Sequence, residues 1–197
     1  MNRLLSTTEL LAHWGDNRPA RLIFTNGCFD LLHPGHLRYL ADARRLGDCL
    51  VVGLNDDDSV RRLKGATRPF LSLAVRGELL TGLRMVDYAV PFAEDTPLAT
   101  ILALRPDLLV KGGDYGLDEI VGASEIEGWG GSVEVIPLSV GFSATAMALN
   151  IHQAVDYELR GEEPSHYRPF DGSPDPEVEK LKAERDAAIR QAAKRKS

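Results

Sequence analysis

The sequence predicts an α/β protein: a five-stranded parallel sheet with helices on both faces, plus a C-terminal helical tail. Three observations carry that expectation. Short apolar runs alternate with longer stretches of helical periodicity. Runs such as Cys49–Leu54 (CLVVGL) are apolar throughout, as strands covered on both faces must be. Glycines and charged residues collect just after the apolar runs, where open parallel sheets bind their ligands.

Each element has a local reason. Ser6-Thr7-Thr8-Glu9 has the form of a capping box, so a short helix should run to about Asn17 with Leu10, Leu11 and Trp14 on one face. Arg21–Thr25 reads as a buried strand and Asn26–His33 as a loop. Pro34 suits a first helical turn, where its missing N–H costs nothing, and Gly47 suits the end of a helix reaching about Leu46. Cys49–Leu54 is the second strand, and Asn55 or Asp56 caps a helix to Lys64. A loop with Arg68-Pro69 leads to Ser72, the expected cap of a helix to about Met85. Asp87–Phe92 is the third strand, and Thr96-Pro97 opens a helix to Leu104. Leu108–Lys111 is the fourth strand, followed by a Gly112-Gly113 turn and one or two short helical pieces within 118–129. Val133–Pro137 is the fifth, and Ser143 caps a helix to about Leu159.

Residues 1–160 therefore form one expected domain, and 161–197 a linker with a helical tail. The linker, 161–176, holds four prolines and two glycines. Residues 177–197 carry seven Lys/Arg against four Asp/Glu, a net +3, with Asp186 and Arg190 spaced for an ion pair. Two readings of that thinly apolar helix stay open: a solvated surface helix, or one packed on a partner subunit.

The 197 residues suffice for a real core, and their 44% apolar and 26% charged content is that of a globular protein. A net charge of −6 argues against nucleic acid as a partner, which usually meets a basic face. It leaves room for a phosphorylated small molecule held by a few local cations. Cys28 and Cys49 match no zinc or redox spacing and are expected reduced, in a cytoplasm. No leader pattern is visible, and no apolar run approaches the roughly 20 residues that span a bilayer.

The chemistry concentrates in Thr25-Asn26-Gly27-Cys28-Phe29-Asp30-Leu31-Leu32-His33-Pro34-Gly35-His36. Here a strand ends, a glycine permits a tight turn, and a helix begins with free N–H groups. Such an N-terminus carries partial positive charge and suits a phosphate. Gly35 leaves space for the approach of an anion. His33 and His36, three residues apart, fall on one helix face. Two histidines could instead hold a metal, but no third ligand is conspicuous and Pro-Gly between them favours an anion.

This stretch resembles the HxGH cytidylyltransferase-like nucleotidyltransferases, and within them most closely the heptose 1-phosphate adenylyltransferases. The resemblance runs from about Leu10 to Met147. It includes Gly53-Leu54-Asn55 with Asp57 and Ser59, then Arg62-Leu63-Lys64-Gly65, Arg68-Pro69, Arg76, Glu94-Asp95-Thr96-Pro97 and Lys111-Gly112-Gly113-Asp114-Tyr115. It implies a Rossmann-like fold and transfer of AMP from ATP to a sugar 1-phosphate, giving an ADP-sugar and pyrophosphate. It also implies His33, His36 and Lys64 as catalytic residues, and Thr25, Asn26, Gly27, Cys28, Phe29, Gly35, Ser143 and Thr145 around the nucleotide. Asp30, Asn55, Arg68, Arg76, Lys111, Gly112, Gly113 and Asp114 would surround the acceptor or phosphates. Mg²⁺ would accompany the triphosphate with no metal site built from protein residues, and a homodimer is expected.

The sequence departs from the family pattern at the last helix. Ala144 replaces a hydroxyl residue, and Phe142 stands where relatives carry small or basic residues. Phe70-Leu71-Ser72-Leu73 is more apolar than usual, and Val75 replaces an acidic residue. Two other readings remain open. One keeps the chemistry with another acceptor, glycerol 3-phosphate with CTP or FMN with ATP. The other is a nucleotide-binding protein without turnover.

Overall fold

The structure is a computed structural model; it describes residues 3–113, 120–137, 141–161 and 170–173 and the single positions 176, 179, 180, 183 and 184. Its elements in chain order are α1 (Thr7–Trp14), β1 (Leu22–Gly27), α2 (Pro34–Arg44), β2 (Cys49–Asn55), α3 (Asp57–Lys64), α4 (Leu73–Gly82), β3 (Tyr88–Phe92), α5 (Leu98–Leu104), β4 (Leu108–Gly112), α6 (Ala123–Gly128), β5 (Ser132–Ile136) and α7 (Ala144–Arg160). They group into two compact units. One comprises Met1–Asp30 with His36–Leu138; the other comprises Leu31–Gly35 with Ser139–Ser197.

The first unit contains the sheet. All five strands are parallel, in the order β3-β2-β1-β4-β5. The chain builds outward from β1 on one side, then returns to build on the other. The reversal falls between β1 and β4, the switch point where such sheets bind ligands. One face of the sheet packs Leu22, Phe24, Val51, Val90 and Leu109 against Leu10 and Trp14 of α1, Ile101 and Leu104 of α5, and Ile126 of α6. On the other face, Tyr39 of α2 bonds to β1 and β4, and α4 packs against β2 and β3. β2 is buried over its whole length, as its apolar run requires. Residues 3–5 cover the outer edge of β3: the Leu5 amide donates to the Ala89 carbonyl at 3.0 Å and the Ala89 amide to the Arg3 carbonyl at 2.9 Å.

Several boundaries differ from the sequence reading for local reasons. The capping box forms, with the Glu9 amide donating to Ser6 Oγ and the Ser6 amide to Glu9 Oε2. The helix nevertheless stops at Trp14, because Gly15 takes a positive φ of 50° and its amide bonds Leu11. Leu11 is exposed rather than packed, since it lies one residue round the helix from the buried pair Leu10 and Trp14. Asp56, not Asn55, caps α3 through the Ser59 amide at 2.7 Å. Ser72 has cap-like dihedrals but no side-chain bond, and α4 ends at Gly82. Pro97 rather than Thr96 stands at the cap of α5. Asp186 and Arg190 of the tail lie outside the described residues.

Candidate active site at the carboxyl ends of β1 and β4

β1 pairs with β2 over six residues, from Leu22↔Cys49 to Gly27↔Leu54. With β4 it pairs over only two, Ile23↔Leu108 and Phe24↔Leu109. Continuing that register would oppose Thr25 to Val110 and Asn26 to Lys111. Side chains bridge the opening instead. Tyr39 donates to the Val110 carbonyl at 3.1 Å and accepts from the Thr25 hydroxyl, 2.6 Å away. Lys111 Nζ then donates to Asn26 Oδ1. The two strand ends are thus linked through side chains, with the Lys111 ammonium on the Asn26 side chain.

Burial of Lys111 pulls its ammonium pKa down to about 8. Its unfolded value is near 10.5, so between these values the unfolded chain holds more protons. Stability from this group therefore rises with pH from about 8 to 10.5. A bound anion would restore the charge. Calorimetry of nucleotide binding at pH 8, in buffers of different ionisation enthalpy, should therefore show net proton uptake. The uptake should vanish in Lys111→Arg, whose guanidinium stays charged. Equal uptake in both proteins would place the titrating group elsewhere.

Beyond β1 the chain turns sharply. Phe29 adopts a positive φ of 43°, a conformation costing of order 1 kcal/mol for a residue with a side chain. Its neighbours hold it there. The Cys28 carbonyl accepts from Arg76 Nη1 at 2.6 Å. Asp30 accepts from Arg68 Nη1 at 2.5 Å and from the amides of Phe70 and Leu71 at 2.7 and 3.2 Å. The Phe29 ring lies 5.1 Å from the ring of His36, in the first turn of α2. Burial raises the Cys28 thiol pKa, so it stays protonated at neutral pH despite the positive charges of Lys64 and Arg76.

Five residues that the sequence assigned to ligand contact have side chains committed to the protein. Thr25 is inaccessible and bonds Tyr39. Asp30 and Arg68 pair with each other, and Arg68 also covers the Phe70 ring at 4.0 Å. The Asn55 amide donates to Ser59 Oγ at 2.9 Å. Arg76 has no exposed surface and uses all three nitrogens, on Leu71 O, Cys28 O and Asp57 Oδ1. Arg76 therefore ties the exit of β1, the loop before α4 and the start of α3 into one block. Asn26, Gly27 and Lys111 sit at the strand ends, and Gly112 and Gly113 follow, the Gly113 amide donating to Ile136 O at 3.1 Å. Lys64 is exposed at the end of α3. Asp114 lies outside the described residues. Tyr39 was missed by the sequence reading. Its only signal was its position three residues after His36, and nothing in the pattern announced its hydroxyl as the bridge.

The Glu94-Asp95 segment docks on α3. Ser59 Oγ donates to the Glu94 carbonyl at 3.0 Å, and Arg62 Nε donates to Asp95 at 2.7 Å. That hydrogen bond with Asp95 raises the Arg62 pKa.

The second unit holds His33, Gly35 and the start of α7. His33 is buried, which lowers its imidazolium pKa below the ordinary 6.5 and leaves the ring neutral at neutral pH. The Phe142 ring stacks on it, 6.2 Å away and 21° from parallel. A Cβ at Gly35 would sit 3.0 Å from His33 Nδ1 and 3.2 Å from Phe142 Cβ, so the packing of these two residues also calls for glycine here. Ser143 caps α7 by accepting from the Ala146 amide at 3.0 Å. Thr145 lies half-buried in the first turn.

Among the described residues, no three His, Cys, Asp or Glu converge as a metal site, and no described helix is long and apolar enough to cross a membrane.

The chain is similar to known proteins. The chain is 54% identical over 134 residues to the bifunctional protein HldE of Shewanella amazonensis, covering 68% of this chain and 28% of that one. It is 56% identical over 128 residues to the HldE of Syntrophotalea carbinolica, covering 65% and 26%. It thus spans little more than a quarter of these curated relatives. The solved lipopolysaccharide core biosynthesis protein from Thermoplasma volcanium GSS1 superposes with a TM-score of 0.50 at 33% identity, covering 60% of this chain and 96% of that one. The sequence pattern of the cytidylyltransferase-like family matches residues 24–151, well over half of the chain. This chain belongs to the cytidylyltransferase-like family of nucleotidyltransferases.

Proposed function

We propose that the protein transfers AMP from ATP to a heptose 1-phosphate, releasing pyrophosphate and an ADP-sugar. The observation that carries this reading is the opening between β1 and β4, with Lys111 and Asn26 at its head. The heptose-branch motifs and the likeness to the two HldE proteins support this choice of substrate.

The chemistry asks little of the protein. A phosphate oxygen of the sugar phosphate attacks the α-phosphorus of ATP. The bond from that phosphorus to the bridging oxygen breaks, and pyrophosphate leaves. A phosphate monoester has a second pKa of about 6, so the attacking group is largely dianionic at neutral pH and needs no base. The difficulty is the negative charge gathered at the transition state. Fixed donors answer it. In this reading the HxGH motif supplies His33 and His36, and Lys64 closes on the phosphates from α3. Mg²⁺ arriving with the nucleotide would supply charge neutralisation at the phosphates, since no three described His, Cys, Asp or Glu converge to hold it. Lys111 attracts the anion. Arg76, Asp30 and Arg68 act one layer back, holding the loop in shape.

Pyrophosphate release with ATP and CTP, against heptose 1-phosphate, other sugar 1-phosphates, glycerol 3-phosphate and FMN, tests the proposal. Release is expected with ATP and heptose 1-phosphate. Release only with glycerol 3-phosphate or FMN would overturn the acceptor. ATP binding with no release on any acceptor would overturn catalysis.

A further inference from the structure

Phe142 is the residue that the family pattern and the proposed chemistry leave unexplained. Its neighbours within the second unit give it a role. One side of its environment is His33, on which its ring stacks. Another is the ring of Phe170, which meets Phe142 edge to face at 6.1 Å and 81°. Gly172 closes the arrangement. A Cβ at Gly172 would fall 2.4 Å from Phe142 Cε1 and Cζ, and a Cβ at Gly141 would fall 1.7 Å from Gly172 O. Gly172 also has a positive φ of 84°. The segment 170–173 therefore seats against residues 141 and 142 with no room for a side chain at either glycine.

This segment lies beyond the residues matched to the family, which end at 151. We propose that the C-terminal segment is part of the catalytic apparatus, with Phe170 and Gly172 clamping Phe142 against His33 so that the imidazole keeps one orientation in a water-poor setting. Phe142 and Phe170 are positioning residues, acting through His33. The proposal rests on the reading of His33 as a ligand of the nucleotide phosphates.

Physically, an imidazole can turn about its last side-chain bond, and each turn moves its N–H away from a phosphate. A stacked aromatic ring restricts that turn without competing for the nitrogens. The Phe170 and Phe142 rings meet at near right angles, a favourable aromatic geometry. Burial of His33 also lowers its imidazolium pKa.

The test uses the full chain with Phe170→Ala, Gly172→Ala and the conservative Phe170→Tyr. The His33 ring proton resonance, assigned through His33→Gln, reports the Phe142 ring current. Turnover and the KM for ATP are read by pyrophosphate release. Phe170→Ala and Gly172→Ala are expected to move the His33 resonance and lower kcat by about tenfold, with a smaller change in KM. Phe170→Tyr is expected to restore both. An unmoved resonance in Phe170→Ala, or a moved resonance with unchanged kcat, overturns the proposal. His33→Gln tests the underlying reading separately: full turnover there removes the role of His33, whatever Phe170 does.

Discussion

Replacing His36 with alanine is expected to lower turnover by on the order of 10²–10³, the cost of removing one fixed donor at a developing charge. The fold should survive. The ring is half-buried and lies 5.1 Å from the ring of Phe29. Such a ring contact contributes about 0.5–1.5 kcal/mol, which for a chain of this size lowers the thermal midpoint by a few degrees. Pyrophosphate release and a melting curve on the same preparation separate the two effects. Near-normal kcat would remove His36 from the chemistry. A midpoint collapsing along with activity would make it a structural residue.

Arg76→Met should have the opposite profile, a large loss of stability. The guanidinium is sealed from water and bonds two carbonyls and the Asp57 carboxylate. Removing it leaves three acceptors without their donor, with Asp30 left to join the turn after β1 to the loop before α4. Breaking a buried ion pair by deleting one partner costs about 3–5 kcal/mol. Asp57 is about one-third exposed, so water recovers part of this and about 3 kcal/mol is expected. Urea unfolding measures it. A variant as stable as the parent, with a raised KM for the acceptor, would mean that Arg76 reaches ligand and that its three bonds give way on binding.

The contrast between His36 and Arg76 shows what the sequence could and could not disclose. Strand and helix order was legible because burial imposes period, and Ser6, Pro34 and Ser143 sit where helix starts need them. The strand ends are where a site is expected from sequence, because parallel sheets allow few other places. The division of labour within the site was not legible. Asp30, Asn55, Arg68 and Arg76 have the residue types that bind phosphates, and types alone do not tell a ligand from a brace. That distinction depends on which nitrogens and oxygens already have partners, a property of packing between segments tens of residues apart. Gly35 carries a related lesson: its small size is also what the packing of His33 and Phe142 requires, which sequence alone does not show.

The two-residue pairing of β1 with β4 has a consequence for how this fold can change over time. Elsewhere the sheet is zipped along its strands, but its central seam is left open where Thr25 and Val110 part. A substitution that lengthened the ladder there would strengthen the sheet and close the opening at once. Rigidity at this seam and access to it are therefore opposed, and a more robust version of this protein has to gain its stability from the outer strands or the helices.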